Sequence, residues 1–199
     1  TLSPTSLPSL AENSGANQIV YTAGMVDGTT YSLGGVDSAY FSINASTGAV
    51  ALIASPDYEA KNSYGFSVIA TLGADSTFID QSFSLAIIDV NEAPTVVALT
   101  NTTTTLPENT STSSRIKVAD IGITDDALGA NVISLTGTDA GSFEVSGTSL
   151  YLKAGVALNF ESKASYAVTV SVLDSGISGS SPVTVDFSLA ITDVNEAPT

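Results

Sequence analysis

The chain contains no cysteine and no histidine in 199 residues. Without cysteine there is neither a disulfide framework nor a thiolate nucleophile. Without histidine there is no imidazole base and no zinc site of the usual ligand types. Basic side chains are nearly as scarce: Lys and Arg number 5 against 20 Asp and Glu, for a net charge of −15. That charge repels nucleic-acid phosphates and anionic membranes, and five scattered cations cannot build a basic face, so neither partner is expected. No apolar run approaches the roughly 18 residues needed to span a bilayer, and no segment reads as a signal peptide. The expectation is a soluble stretch without membrane insertion, its targeting signals outside it. What remains is oxygen chemistry, meaning carboxylates, amides, hydroxyls and backbone carbonyls, the ligands of a hard cation.

Against these absences stands a composition that is 43% hydrophobic and rich in Thr, Ser, Val and Ala, that of a folding chain and not of an acidic tail. The dominant period is two. "YGFSVIATL" (64–72) places Tyr64, Phe66, Val68, Ala70 and Leu72 on one face, and "QSFSLAII" (81–88) does the same with Phe83, Leu85 and Ile87. "YAVTVSV" (166–172) and "VTVDFSLAI" (183–191) match them, with Val183, Val185, Phe187, Leu189 and Ile191 inward. Shorter strands are expected within 48–54 and 148–154, and no window carries a helical stripe. Short strands separated by Gly, Ser, Asp and Asn turns predict an all-β antiparallel sandwich.

The chain is also duplicated. "DVNEAPT" occurs at 89–95 and again at 193–199. "LAEN" (10–13) matches "LPEN" (106–109), "VDSAYFSI" (36–43) matches "TDAGSFEV" (138–145), and "DYEAKNSY" (57–64) matches "NFESKASY" (159–166). Two domains follow, 1–93 and 94–199, each long enough for its own core. Each carries an acid near its start, an acid in its middle and acids at its end.

Those three motifs, in that order and twice over, resemble the calcium-binding signature of cadherin repeats, in the bacterial cadherin-like version that occurs in tandem in large secreted or surface proteins. The resemblance covers essentially both repeats. It implies two tandem seven-stranded Greek-key sandwiches, immunoglobulin-like in topology, with Ca2+ held where one repeat meets the next. Carried over residue by residue, it assigns Glu12, Asp57, Glu59, Asp89, Asn91 and Glu92 to the junction. From the second repeat, "ITDDALGAN" (123–131) adds Asp125, Asp126 and Asn131, and "VLDSG" (172–176) adds Asp174. A distal half-site comprises Glu108, Asn159, Glu161, Asp193, Asn195 and Glu196. Two carboxylates about 4 Å apart at an effective dielectric near 20 repel by roughly 4 kcal/mol, so acids gathered this closely call for a cation between them. Calcium suits better than magnesium because it takes about 6–8 oxygens in loose geometry. Two or three ions per junction are expected.

The sequence departs from the family pattern in four places. The linker runs Asn-Glu straight into Ala-Pro, so Glu92 stands for a shorter Asp. Asp125 and Asp126 are adjacent, and in a strand they would point to opposite faces, so both can bind only at a turn or bulge. Asn159 replaces the acid found at Asp57. In repeat 1, Ala23, Gly24 and Leu72 occupy the places of Asp125, Asp126 and Asp174, which predicts no equivalent calcium link to whatever precedes it unless Asp27 or Asp75 serves in a rearranged loop.

Alternative readings of the acids are weaker. Asp57 and Glu59, two apart on one motif, are poorly placed to flank a glycosidic substrate, and no enzymatic activity is expected. Asp37 and Asp139 read as turn residues, and the Asn-x-Ser/Thr triplets at Asn44, Asn101 and Asn109 matter only in a glycosylating host. Two function classes remain: a calcium-stiffened structural or adhesive segment of a large bacterial surface protein, or a module that binds extracellular polysaccharide or like domains. The first needs only neighbouring repeats of the same chain as partners, and both place it outside the cell.

Overall fold

The computed structural model describes residues 6–24, 27–73 and 77–196. The chain forms two compact units, Thr1–Val90 and Asn91–Thr199. Among the described residues every regular element is a strand apart from two single 3-10 turns, Ser38–Tyr40 and Ala140–Ser142.

The first unit contains β1 (Leu10–Ala11), β2 (Gln18–Thr22), β3 (Thr29–Gly34), β4 (Phe41–Ile43), β5 (Ala49–Leu52), β6 (Ser63–Leu72) and β7 (Thr77–Ile88). They form two sheets, β1-β7-β6-β3 and β2-β5-β4. The second unit contains β8 (Val96–Thr100), β9 (Thr105–Pro107), β10 (Ile116–Thr124), β11 (Asn131–Thr136), β12 (Phe143–Ser146), β13 (Ser149–Leu152), β14 (Ser165–Asp174) and β15 (Val183–Thr192). Its sheets run β12-β13-β10-β8 and β11-β14-β15-β9. Here the first strand position is split: β8 pairs antiparallel with β10 in one sheet, and β9 pairs parallel with β15 in the other. Strand order is otherwise the same in both units, with sequence neighbours exchanged between sheets, which is the Greek-key sandwich of immunoglobulin-like domains.

Alternation along the long strands builds the cores. In β6, Tyr64, Phe66, Val68 and Ala70 are buried, and across from them in β7 so are Phe83, Leu85 and Ile87. Leu72, expected inward from the period, is instead 46% exposed, because β6 ends there opposite Thr29, beyond the core. The first core is aromatic: the Phe66 ring lies 4.4 Å from Phe41 and 5.5 Å from Phe83, and Tyr21 lies 4.4 Å from Phe83. The second is chiefly aliphatic, with Leu150, Leu152, Val118, Val170, Val172 and Leu189 fully buried. Register shifts between Ile19 and Tyr21 and between Lys117 and Ala119 mark a β-bulge in β2 and β10. A bulge puts consecutive residues on one side, and Val20 with Tyr21, and Val118 with Ala119, are buried accordingly.

Asp37 and Asp139 start the 3-10 turns with identical dihedrals, φ −107° and ψ 15°. Each ties its turn to the next long strand. Gly65 N–H donates to Asp37 Oδ2 at 2.7 Å and Ala167 N–H to Asp139 Oδ2 at 2.9 Å, while Lys61 and Lys163 pair with the other oxygens. The turn reading of these two aspartates is thus what the structure displays. Gly35, just before the first turn, has φ +89°, and a Cβ there would lie 2.8 Å from Phe66 Cα, so both conformation and space demand glycine.

Two outcomes are expected. Leu150→Ala opens a cavity in a fully buried position and should destabilise the second unit by about 2–5 kcal/mol. Hydrogen exchange should show this in β13 and β14 amides, and equal loss of protection in β6 would contradict separate cores. The second concerns pH. The Lys163 ammonium and the Ala167 N–H hold the Asp139 carboxyl below its ordinary value. A depressed carboxyl stabilises the fold above its unfolded pKa and loses that contribution as pH falls through its folded value. Asp139→Asn should therefore be less stable than the unaltered chain at pH 7, with the gap closing below about pH 4, as read by denaturant midpoints.

Candidate metal centre

At the end of the first unit, β1 runs parallel to β7 with Ala11 beside Ile88. The next residue, Glu12, is 3% exposed. Its carboxylate accepts two backbone donors, Tyr58 N–H on Oε2 at 2.7 Å and Val90 N–H on Oε1 at 2.8 Å. Glu12 thus joins the first strand to the turn after β5 and to the exit of β7. The turn is closed by Ala60 N–H on Asp57 Oδ1 at 2.9 Å and by Lys61 N–H on the Asp57 carbonyl at 2.9 Å. It presents Glu59 so that carboxylate oxygens of Glu12, Glu59 and Asp89 all lie within 4.8 Å of one another. Glu59 is held above its ordinary pKa: its own backbone N–H lowers it, but burial and the carboxylates of Glu12, Asp89 and Asp57 outweigh that. A cation would remove this conflict.

The second unit repeats the arrangement. Glu108, 7% exposed, accepts Phe160 N–H and Val194 N–H, each at 2.8 Å. These two bonds, Phe160 first, hold its carboxyl below its usual range. Carboxylate oxygens of Glu108, Glu161 and Asp193 again lie within 4.8 Å of one another. Asn159 accepts Ser162 N–H at 2.8 Å, as Asp57 accepts Ala60 N–H, so closing the turn needs only one oxygen and amide replaces acid without loss. Neither Asp57 nor Asn159 belongs to the close triads. Asn195 and Glu196 are exposed, and Ala197, Pro198 and Thr199 of the second heptad lie outside the described residues.

The opposite end of the second unit gathers the other assigned residues. Asn131 opens β11 directly across from Asp174, which closes β14 with no exposure. The chain leaves β10 at Thr124 in a bend, with Ala127 at φ +70° and Gly129 at φ +67°, so the two adjacent aspartates are not confined to opposite strand faces. Asp125 accepts the Asn131 amide at 2.5 Å. Asp126 accepts Leu128 N–H at 2.8 Å and Glu92 N–H at 2.5 Å. Asp174 Oδ1 accepts Gly176 N–H at 2.7 Å and Ala130 N–H at 3.3 Å. Gly176 N–H, then the Asn91 amide and Ala130 N–H, keep the Asp174 carboxyl low despite burial.

Four oxygens here are buried without a hydrogen-bond donor: Asn91 Oδ1, Asp125 Oδ1, Asn131 Oδ1 and Asp174 Oδ2. Buried polar atoms are ordinarily satisfied, so four oxygen acceptors in one loop cluster suit a positively charged partner. Gly129 frames the cluster, since a Cβ there would run into Asp174 Oδ2 and lie 2.5 Å from Asn91 Oδ1. All-oxygen donors, mixed carboxylate and amide, fit calcium. Gly129 was not among the residues singled out from sequence, although a glycine between an acidic pair and an asparagine is the signal that points to it.

Among the described residues, the corresponding end of the first unit gathers no such set of oxygens. By register, Leu72 stands opposite Thr29 as Asp174 stands opposite Asn131, and Ala23 is buried where Asp125 would be. Asp27 is exposed, and Asp75 lies outside the described residues.

Comparison with known proteins finds similar chains among the cadherins. Human protocadherin gamma-C4 is 32% identical over 164 residues, 79% of this chain and 17% of that protein. The Fat-like cadherin-related tumor suppressor homolog of Drosophila melanogaster is 28% identical over 149 residues, 70% of this chain and 3% of that protein. Among solved structures, protocadherin gamma B2 extracellular cadherin domains 3–6 match with a TM-score of 0.77 at 24% identity, over 98% of this chain and 47% of that one. Human protocadherin-24 EC1-2 matches at 0.71 and 19% identity, over 96% and 97%. Both units have the fold of cadherin repeats. No family model matches the chain. It spans between 3% and 17% of the length of these curated relatives.

Gly129→Ala should lower calcium affinity about tenfold or more, the scale on which residues around metal ligands act, while leaving the core amides protected. Calorimetric titration checks it, and an unchanged affinity would remove Gly129 from the site.

Proposed function

We propose that this chain is a calcium-binding pair of cadherin-like repeats that serves as a rigid structural or adhesive segment of a large extracellular, cell-surface or secreted protein. The observation that carries the reading is the set of four buried oxygens without donors at Asn91, Asp125, Asn131 and Asp174. The covalent chain adds the second support. Asp89 belongs to the carboxylate triad of the first unit, and Asn91 and Glu92 to the second, with Val90 alone between them. Ligands so close in sequence cannot stray far from one another, so an ion that takes both sets restrains the linker. Glu12, Asp57, Glu59 and Asp89 from one repeat, with Asn91, Glu92, Asp125, Asp126, Asn131 and Asp174 from the next, are the proposed ligands. Calcium supplies the positive charge that these oxygens share. Glu108, Asn159, Glu161, Asp193, Asn195 and Glu196 form the half-site for a following repeat.

The role is mechanical and not catalytic, in keeping with the missing histidine and cysteine. A bacterial setting rests on sequence character alone, since the relatives named above are animal proteins. Association with like domains draws support from a solved cis-dimer of protocadherin gammaB7 repeats EC3-6, which matches this chain over 99% of its length. Among the described residues no surface feature favours a polysaccharide partner.

With a Kd near 0.1 mM and about 2 mM free calcium, mass action should stabilise the chain by roughly 2 kcal/mol per site. A melting temperature indifferent to chelator would sink the reading. Glu59→Ala and Asp125→Ala should each weaken calcium binding and broaden the spin-label distance distribution between repeats. Glu161→Ala, in the distal half-site, should leave that distribution unchanged.

A further inference from the structure

Residues 1–90 contain eight acids and one basic side chain, Lys61. That cation sits two residues after Glu59, in the turn that presents a proposed calcium ligand. Its backbone N–H bonds to the Asp57 carbonyl at 2.9 Å, a single helical turn. Side chains four apart on such a turn face the same way, so Asp57 is the partner Lys61 would take if left to its neighbours. The structure gives it another. Lys61 Nζ lies 3.2 Å from Asp37 Oδ1, 5.4 Å from the centroid of the Tyr64 ring and 5.9 Å from that of Tyr40. Asp37 is itself fixed from behind by Gly65 N–H at 2.7 Å. The second unit repeats the clamp, Lys163 Nζ lying 2.8 Å from Asp139 and 5.0 Å from the Tyr166 centroid.

We propose that Asp37 is a positioning residue for the calcium site: by holding Lys61 it keeps the only basic side chain of its repeat from acting as an internal counter-ion to Asp57, Glu59 and Glu12. An ammonium in that place would neutralise the carboxylates without bridging them and would compete with the metal. The inference rests on the calcium reading above and adds that the site's affinity is set partly by a residue that touches no ligand.

The test is calcium titration of the unaltered chain, Asp37→Asn, Lys61→Met and the double variant, followed through the amide resonances of Tyr58 and Val90, the donors to Glu12. Asp37→Asn should weaken binding about threefold or more, Lys61→Met alone should change it by less than about twofold, and the double variant should return to within about twofold of the unaltered chain, the non-additivity expected of coupled residues. Because Asp37→Asn could compromise folding, Ala60→Lys serves as a second variant. It places an unclamped cation in the same exposed turn and should also weaken binding about threefold. Additive effects, an unaffected Asp37→Asn protein, or an Ala60→Lys protein with undiminished affinity would each overturn the proposal. If the unaltered chain gives no calcium response at Tyr58 and Val90, the calcium reading fails and this inference with it.

Discussion

Each repeat depends on one buried glutamate whose two oxygens face backbone N–H groups far apart in sequence. Glu12 reaches 46 residues ahead to Tyr58 and 78 ahead to Val90. Glu108 reaches 52 residues to Phe160 and 86 to Val194. A buried carboxylate is costly unless its hydrogen-bonding capacity is met, and here both oxygens are met by donors that no strand ladder uses. The bonds bring together three segments that carry acids, and the like charges then lie within 4.8 Å of each other. What secures the fold locally therefore also creates an electrostatic conflict that a bound cation would relieve.

The two units share this device and differ at the opposite end. Strand register superposes Leu72 on Asp174, yet one is half exposed and apolar while the other is buried and acidic. The same strand position thus carries a buried carboxylate in the second unit and an exposed leucine in the first.

Much of this was legible in sequence, for reasons that differ by element. Strands β6, β14 and β15 alternate because one face meets the core, with Ser67 and Ser171 buried as exceptions, and in β6 the pattern holds as far as Ala70. Strands β2 and β10 could not be read that way, since their bulges turn Val20 with Tyr21 and Val118 with Ala119 to the same side. The acids of the two triads were legible because their motifs occur in both halves, whereas Asp125, Asp126, Asn131 and Asp174 have no counterpart in the first repeat and were assigned only by resemblance to cadherin repeats. The two backbone bonds of Glu12, the steric frame set by Gly129 and the pairing of Lys61 with Asp37 were not legible, because each depends on contacts between segments with no local period.

The parallel pairing of the first and last strands, β1 with β7 and β9 with β15, has a mechanical consequence. Tension applied to the two ends of the first repeat pulls β1 and β7 in opposite directions along their own length, and in the second repeat β9 and β15 are loaded in the same way once the force has passed β8. Their hydrogen bonds are then loaded in shear and must yield together, whereas an antiparallel pair pulled from adjacent ends would unzip one bond at a time. Glu12 and Glu108, bonded just past the ends of β7 and β15, sit on the same line of force and lengthen the loaded patch by one further contact each.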